Sequence, residues 1–395
     1  MNRILIPCVC MALATGAFGG QGATSSTSGL EQALSKAGSN ARPLQDLLSE
    51  LPAEQKAGAA FLIEHMPERD LTSIDKALLS SNIALAYQAK ASFPWGRDIP
   101  EDIFLNDVLP YAVVDETREN WRQGFFDLFG KLVHDSKSIR DAVLSINSKI
   151  GKLTGVDYNT LREKPNQSPS ESIRQHMASC TGLAILLVDA FRSVGIPARF
   201  AGTASWHDDR GNHSWVEVWM DGKWYITEYY MPRQLDHPWF LANAGKANPD
   251  NRQYAIYATS FKQTGESFPM VWNDQSQEVH AVNVSQRYID TCEAMEEQAV
   301  SQGTHVPVSI RIFKNSGSNS NSGDRVAVNV DVFDGQLQMD GGRTSGPLQD
   351  MNDVLTFLLE KNKTYTFRYQ DASGNTKDIT ATVKDSPMTV DATFE

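Results

Sequence analysis

A chain of 395 residues is long enough for two or three domains, and its 41% hydrophobic and 21% charged residues are the balance of a globular protein with more than one core. The formal charge of -12 argues against nucleic acid or an anionic membrane as the main partner, since both reward clustered Lys and Arg. It leaves peptide and small-molecule substrates open.

The first residues read as a leader, with Arg3 supplying charge and Ile4 to Phe18 an apolar stretch. Ala17-Phe18-Gly19 or Gln21-Gly22-Ala23 offers a small-residue cleavage site, so residues 1–23 are expected to be a signal peptide and the protein secreted or periplasmic. Cys8 and Cys10 would leave with that segment, and no cysteine follows it where a lipid anchor would need one. No later run is apolar and long enough to cross a bilayer, so stable membrane insertion is not expected. Cys180 and Cys292 remain. In an oxidising compartment they can pair, although their contexts are unlike and a large chain needs no staple.

Residues 24–94 read as a helical region, in which Leu30, Ala33 and Leu34, then Leu44, Leu47, Leu48 and Leu51, then Ala59, Phe61 and Leu62 recur at helical spacing, punctuated by Pro52 and Pro67. Phe93 to Pro110, rich in proline and acid, reads as an extended lead-in. A helix is expected from Thr117 to His134 and another from Ser136 to Ile150. Ser168-Pro169-Ser170-Glu171 combines an N-cap, a proline at N1 and a capping-box Glu, opening a short helix to about Ala178. Ser179 can cap a second helix, with Cys180 in its first turn, Gly195 as its stop and Pro197 barring resumption. A strand from Phe200 to Ala204 and two further strands follow. Residues 250–292 show no single periodicity. From His305 onward the pattern is β alternation (Val306, Val308, Ile310, Ile312; Val326 to Val332; Tyr365, Phe367, Tyr369), interrupted by a Ser/Asn/Gly loop from Asn315 to Gly323. A β-sandwich over 304–395 is expected.

Asp221-Gly222 is the pair that a two-residue type I′ turn requires, because both positions need positive φ. With that turn Trp219 faces Trp224, Trp215 faces Glu228 and His213 faces Tyr230. His213 and Glu228 then share one face as diagonal neighbours, roughly 7–8 Å apart at Cα. A one-residue slip would separate them. Met231 falls on the opposite face in this register, and Asp236 does not take the acid's place.

A thiol reacts as thiolate, and a helix N-terminus with an adjacent imidazole favours that form. A carboxylate behind the imidazole fixes its tautomer and stabilises its protonated state. Cys180, His213 and Glu228 are therefore the candidate catalytic residues. The Cys180 backbone N–H is a candidate oxyanion donor, and Gln175 or His176 a candidate second donor. Trp206, Trp215, Trp219 and Trp224 pack a sheet or line a groove. His207 with Asp208-Asp209 matches no metal-site spacing, and there is no Gly-rich phosphate loop, so neither metal nor cofactor is expected.

The segment from Cys180 to Glu228 resembles the transglutaminase-like superfamily of papain-type thiol enzymes. The carrying residues are Ser179-Cys180, Gly195-Ile196-Pro197-Ala198-Arg199, His213-Ser214-Trp215-Val216-Glu217-Val218, and Gly222-Lys223-Trp224 with an acid four residues beyond. The lead-in from Trp95 to Tyr111 is similar to exported bacterial members. The resemblance implies an α+β fold with a papain-like core over residues 95–300, Cys180 as nucleophile, His213 as base and Glu228 as orienting acid, where the family usually places Asp. It implies a thiol enzyme acting on amide bonds or glutamine carboxamides of peptides or proteins, by hydrolysis or acyl transfer. The alternatives are a papain-type cysteine peptidase and an inactive binding or adhesion protein that keeps the fold. Oligomeric state has no signal in the sequence.

Overall fold

The computed structural model describes residues 28–209, 211–229, 231, 234–317, 322–350 and 354–395. The leader expected over residues 1–23 lies outside these, as do Tyr230 and the middle of the loop from Asn315 to Gly323.

The N-terminal region is helical: α1 (Gly29–Lys36), α2 (Ala41–Glu50), α3 (Ala53–His65), α4 (Glu68–Ser73) and α5 (Lys76–Ser92). Ser28 and Glu31 form a capping box at α1, and Asp75 accepts from the amides of Ala77 and Leu78 at α5. Leu44, Leu47, Leu62 and Leu79 are fully buried, as their helical spacing predicts. The expected extended lead-in differs: Pro94–Arg97 is a 3-10 turn, and Glu101–Asp107 is a helix, α6. Pro100 precedes that helix, and the acids Glu101 and Asp102 in its first turn complement its positive end.

Helix α7 (Arg122–Val133) starts five residues later than Thr117. The chain before it is held otherwise: the Glu116 carboxylate accepts from the amides of Val113 and Val114, and Arg118 donates to Asp70. Helix α8 (Ile139–Thr154) is capped by Ser138 and ends at Gly155, whose φ is 68°. After the two-residue strand β1 (Asp157–Tyr158) comes α9 (Pro169–Gln175), opened by the Ser168–Glu171 capping box. It stops short of Ala178 because His176 turns left-handed at φ 54°, which frees β2 (Met177–Ala178) to pair with β1. Helix α10 (Cys180–Ser193) follows, with the Ser179 hydroxyl accepting from Gly182 N–H.

Two buried arginines anchor the far end of α10. Arg192 donates to the carbonyls of Asp107 and Ala112. Arg122 donates to Asn82 Oδ1, to the carbonyl of Pro110 and to that of Arg192, a last-turn oxygen that also accepts from Gly195 N–H. The planar guanidinium can serve several acceptors at once, so these two side chains lock α10 to the helical region.

The core sheet is built from β3 (Ala198–Thr203), β4 (His213–Met220), β5 (Lys223–Thr227), then, beyond the short helix α11 (Leu241–Ala244), β6 (Ile256–Ser260), β7 (Glu266–Ser267) and β8 (His280–Asn283). Among the described residues it has six strands in the order β5-β4-β3-β6-β8-β7, all antiparallel. The segment with no clear periodicity thus supplies half of the sheet, together with α12 (Ser285–Ser301). Val216 and Val218 share a core with α10, whereas Trp215 and Ile226 on the opposite face pack with Phe240, Ala244 and Tyr288.

Three residues after α12, the chain enters the sandwich: β9 (His305–Phe313), β10 (Asn329–Asp334), β11 (Leu337–Arg343), β12 (Leu355–Glu360), β13 (Thr364–Gln370), β14 (Thr376–Thr382) and β15 (Met388–Thr393). Its sheets run β11-β10-β13-β14 and β12-β9-β15. Alternate residues meet between them, Val308, Ile310 and Phe357 against Val332, Tyr365 and Phe367. The fold is α+β, with a helical N-terminal region, a core of helices packed on a six-stranded sheet and a C-terminal β-sandwich. No helix among the described residues is long and apolar enough to cross a membrane.

Candidate active site

The hairpin β4–β5 sets the site. Asp221 and Gly222 take φ of 54° and 81°, and the pairs Met220↔Lys223, Trp219↔Trp224 and Val216↔Thr227 carry the register that a two-residue turn imposes. Regular pairing stops at Val216↔Thr227, one step short of Glu228, yet parity persists: His213 Nε2 and Glu228 Oε2 are 3.2 Å apart. Met231, placed on the opposite face by extending the ladder, is not governed by it. Its amide folds back onto the Glu228 carbonyl and its side chain lines the same cleft as His213. Asp236 instead accepts from Ile226 N–H at the edge of β5.

Cys180 arrives from the other face of the sheet. Helix α10 lies against the Val216 side of β4, and its first residue reaches the strand's end where His213 begins. Thr181 Oγ1 lies 3.3 Å from Ser214 Oγ, closing helix tip on strand end. The imidazole is hydrogen-bonded to both the Cys180 thiol and Glu228. With Nε2 on the carboxylate, Nδ1 is the nitrogen left for the sulfur.

The electrostatics of the pair run in opposite directions. Burial pushes the Cys180 thiol up, but the His213 hydrogen bond and charge, with the backbone groups of Ser214 and Thr181, outweigh it and leave the thiol below its ordinary value. Burial pulls His213 down, and the bonds and charges of Cys180 and Glu228 overcome that and raise it to about 9. Both shifts run in the direction that favours thiolate beside imidazolium over the neutral pair.

The imidazole sits among aromatic rings, with centroids at 5.1 Å for Phe240, 5.2 Å for Trp239, 5.8 Å for Trp215 and 6.2 Å for Trp206. Trp215 is fully buried and donates from Nε1 to Tyr288 Oη at 2.6 Å. Tyr288 in turn donates to Glu217, which is buried between Arg199 (Nε–Oε2, 2.8 Å) and Arg287. The Trp and Glu of the His-x-Trp-x-Glu run thus pin β4 to β3 and α12. Trp219 packs partly buried against the α10 core, and Trp224 lies beneath the Arg199 guanidinium. Trp239 and Phe240, in the segment between β5 and α11, had no distinguishing signal in the sequence, since only tertiary folding brings them to His213.

Gln175 and His176 do not line the cleft that Cys180 opens onto: the Gln175 side-chain Oε1 accepts from Glu163 N–H while its Nε2 is buried without a hydrogen-bond partner, and the His176 ring faces the Gly155 carbonyl. Asp209 accepts from Tyr254 Oη. Cys292 is a free, buried thiol like the free, half-buried Cys180, and burial together with Glu296 pushes it up to about 12. Cys180, His213 and Glu228 open onto a cleft of about 1120 Å³ bounded by Tyr158, Trp239, α12 and the strand β11 of the sandwich.

Residues 129–229 match the family model for the transglutaminase-like superfamily. No curated protein matches the chain. Among solved structures, a candidate cysteine protease from Cytophaga hutchinsonii is 20% identical over 37% of this chain and 47% of its own, with a TM-score of 0.28. Red sea bream transglutaminase is 10% identical over 74% of this chain and 65% of its own, at a TM-score of 0.33. The chain thus spans about half and two thirds of these two proteins, and neither likeness carries an argument at those scores. The matched stretch, residues 129–229, is transglutaminase-like and holds Cys180, His213 and Glu228.

Proposed function

We propose that this protein is an exported thiol enzyme that attacks amide or glutamine carboxamide carbonyls of peptides or proteins, with Cys180 as nucleophile, His213 as acid and base, and Glu228 as the group that orients the imidazole. The observation that carries the reading is the convergence of Cys180, at the tip of α10, on His213, whose Nε2 lies 3.2 Å from Glu228 Oε2; the lowered thiol and raised imidazole support it. Cys180 Sγ adds to the carbonyl carbon, and the negative charge gathers on the carbonyl oxygen. The Cys180 N–H, at the first position of α10, has no helical acceptor of its own and suits that oxygen. Collapse of the adduct breaks the C–N bond, and His213 passes its proton to the departing ammonia or amine. The neutral imidazole then removes a proton from water, giving hydrolysis, or from an amine, giving transfer, and the thioester bond breaks as the thiolate returns. Export is supported by the charge, apolar stretch and small-residue sites of residues 1–23.

Product analysis tests the reading. Incubation with a complex peptide mixture, followed by mass spectrometry, should yield ammonia with either new carboxylates or new isopeptide links. New N-termini without ammonia would instead mark a peptidase. A second reading, binding without turnover, is favoured by Glu228 standing where the family usually places Asp; it requires no product of any kind.

A further inference from the structure

Thr181 and Ser214 directly follow Cys180 on α10 and His213 on β4. Their hydroxyl oxygens lie 3.3 Å apart, and the two residues are 1% and 5% exposed, so the pair is dry. Buried hydroxyls need partners, and here each serves the other. The backbone N–H groups of the same two residues hydrogen-bond the Cys180 sulfur. A closed ring results: sulfur to the Thr181 amide, Thr181 side chain to Ser214 side chain, Ser214 amide back to sulfur. Each half of the ring has its own anchor. The Ser179 hydroxyl accepts from Gly182 N–H and donates to the Pro165 carbonyl at 2.7 Å, which seats the helix tip. On β3, Gly202 lets β4 approach closely, since a Cβ there would fall 2.7 Å from the His213 carbonyl oxygen. The hydroxyl pair ties the two halves together.

We propose that Thr181 and Ser214 are positioning residues, whose hydroxyl pair fixes the tip of α10 against β4 and so holds the sulfur on the His213 imidazole and on the two amides. The inference rests on the thiol-enzyme reading and adds two residues to its machinery. Hydrogen bonds weaken steeply as they lose alignment, and a thiolate is favoured only by donors that point at it. A small drift of the helix tip therefore loosens the imidazole contact and the Ser214 amide contact together.

The test is the pH–rate profile of iodoacetamide alkylation at Cys180 in the full-length protein, read by peptide mapping. Replacing one hydroxyl strands the other in the interior, whereas replacing both by apolar groups of similar shape is nearly neutral for stability. A protein carrying Thr181→Val and Ser214→Ala should therefore melt close to the wild type. Its alkylation rate at pH 6 should fall about tenfold while the limiting rate at high pH stays within about twofold, because a midpoint raised by about one unit removes that much thiolate. Thr181→Ser, which keeps a hydroxyl, should keep the wild-type profile. Besides His213 and Glu228, the titratable groups sharing the cleft are Tyr158, Tyr229, His237, Cys292, Glu296, His305 and Asp340, all unaltered in these variants. A double variant with the wild-type profile overturns the proposal, as does a Thr181→Ser profile displaced as far as the double variant's. Ser214→Ala alone should raise the midpoint too, and an unmoved midpoint there also overturns it. His213→Ala separates the two levels: a wild-type rate indifferent to His213 removes the enzymatic reading, whereas a rate that needs His213 but not the hydroxyl pair removes the inference alone.

Discussion

His213, the first residue of β4, and Glu228, one residue beyond β5, have Nε2 and Oε2 3.2 Å apart, although the regular pairing of the two strands ends before either residue. The contact spans the extra methylene by which Glu exceeds the Asp usual in the family, so the strand backbones are spaced for the longer side chain. Glu228→Asp should therefore lower kcat/KM about tenfold, and Glu228→Gln about a hundredfold or more, because the amide cannot balance an imidazolium. Steady-state rates on a peptide substrate found by product analysis check this; an Asp variant as active as the wild type would show that the carboxylate does not set the imidazole's position.

Stability should depend on pH through the same pair. An imidazole raised to about 9 in the folded state contributes stability that is fully present below its unfolded value near 6.5, and that is lost as pH climbs through about 9. The thiol, held below its ordinary value, contributes in the other direction: its share is present above the unfolded thiol value and fades as pH drops through the folded one. These are two views of one ion pair and do not add. Thermal melting of the wild type should fall more steeply between about pH 8 and 10 than that of His213→Ala. Parallel curves would count against the pair.

The turn at Asp221-Gly222 controls whether the site exists. Gly222 has φ of 81°, a conformation costly for a residue with Cβ, so Gly222→Val should cost about 1–2 kcal/mol in denaturant unfolding. If the strain is relieved by a one-residue slip, His213 and Glu228 part company and activity falls well beyond the stability loss. Gly222→Asn, tolerated at positive φ, should do much less harm.

Glu217 is fully buried, and burial alone would raise its carboxyl; Arg199 and Arg287 hold it below the usual range. Removing it strands Arg199 in the interior, so Glu217→Ala should lose about 3–5 kcal/mol. A loss under about 1 kcal/mol would mean that the network around Trp215 and Tyr288 closes without it.

The parts legible in the sequence were those fixed by local chemistry. The Ser168 and Ser179 caps, the left-handed pair at Asp221-Gly222 and the alternation of β9 and β13 each follow from what neighbouring residues do to one another. Cys180, His213 and Glu228 were legible because a capped helix and a tight hairpin are both local devices. The parts hidden were tertiary. Strands β6 to β8 are short and lack clean alternation, because they are held by pairing with β3 and with one another. Helix α6 looked like a linker because Pro100 and its two acids are ambiguous without the buried Phe104 that anchors it. Trp239 and Phe240 carry no periodic mark, and their approach to His213 depends on how the segment between β5 and α11 folds back.

The charge state of one sulfur decides whether Cys180 can act as a nucleophile, and the rate at which iodoacetamide alkylates it near pH 7 reads that state directly. In the wild type the reaction should be fast and should persist below the range where an ordinary thiol falls silent, while His213→Ala should slow it at least tenfold and move its titration upward. Slow labelling of Cys180, unchanged when His213 is replaced, would contradict the account.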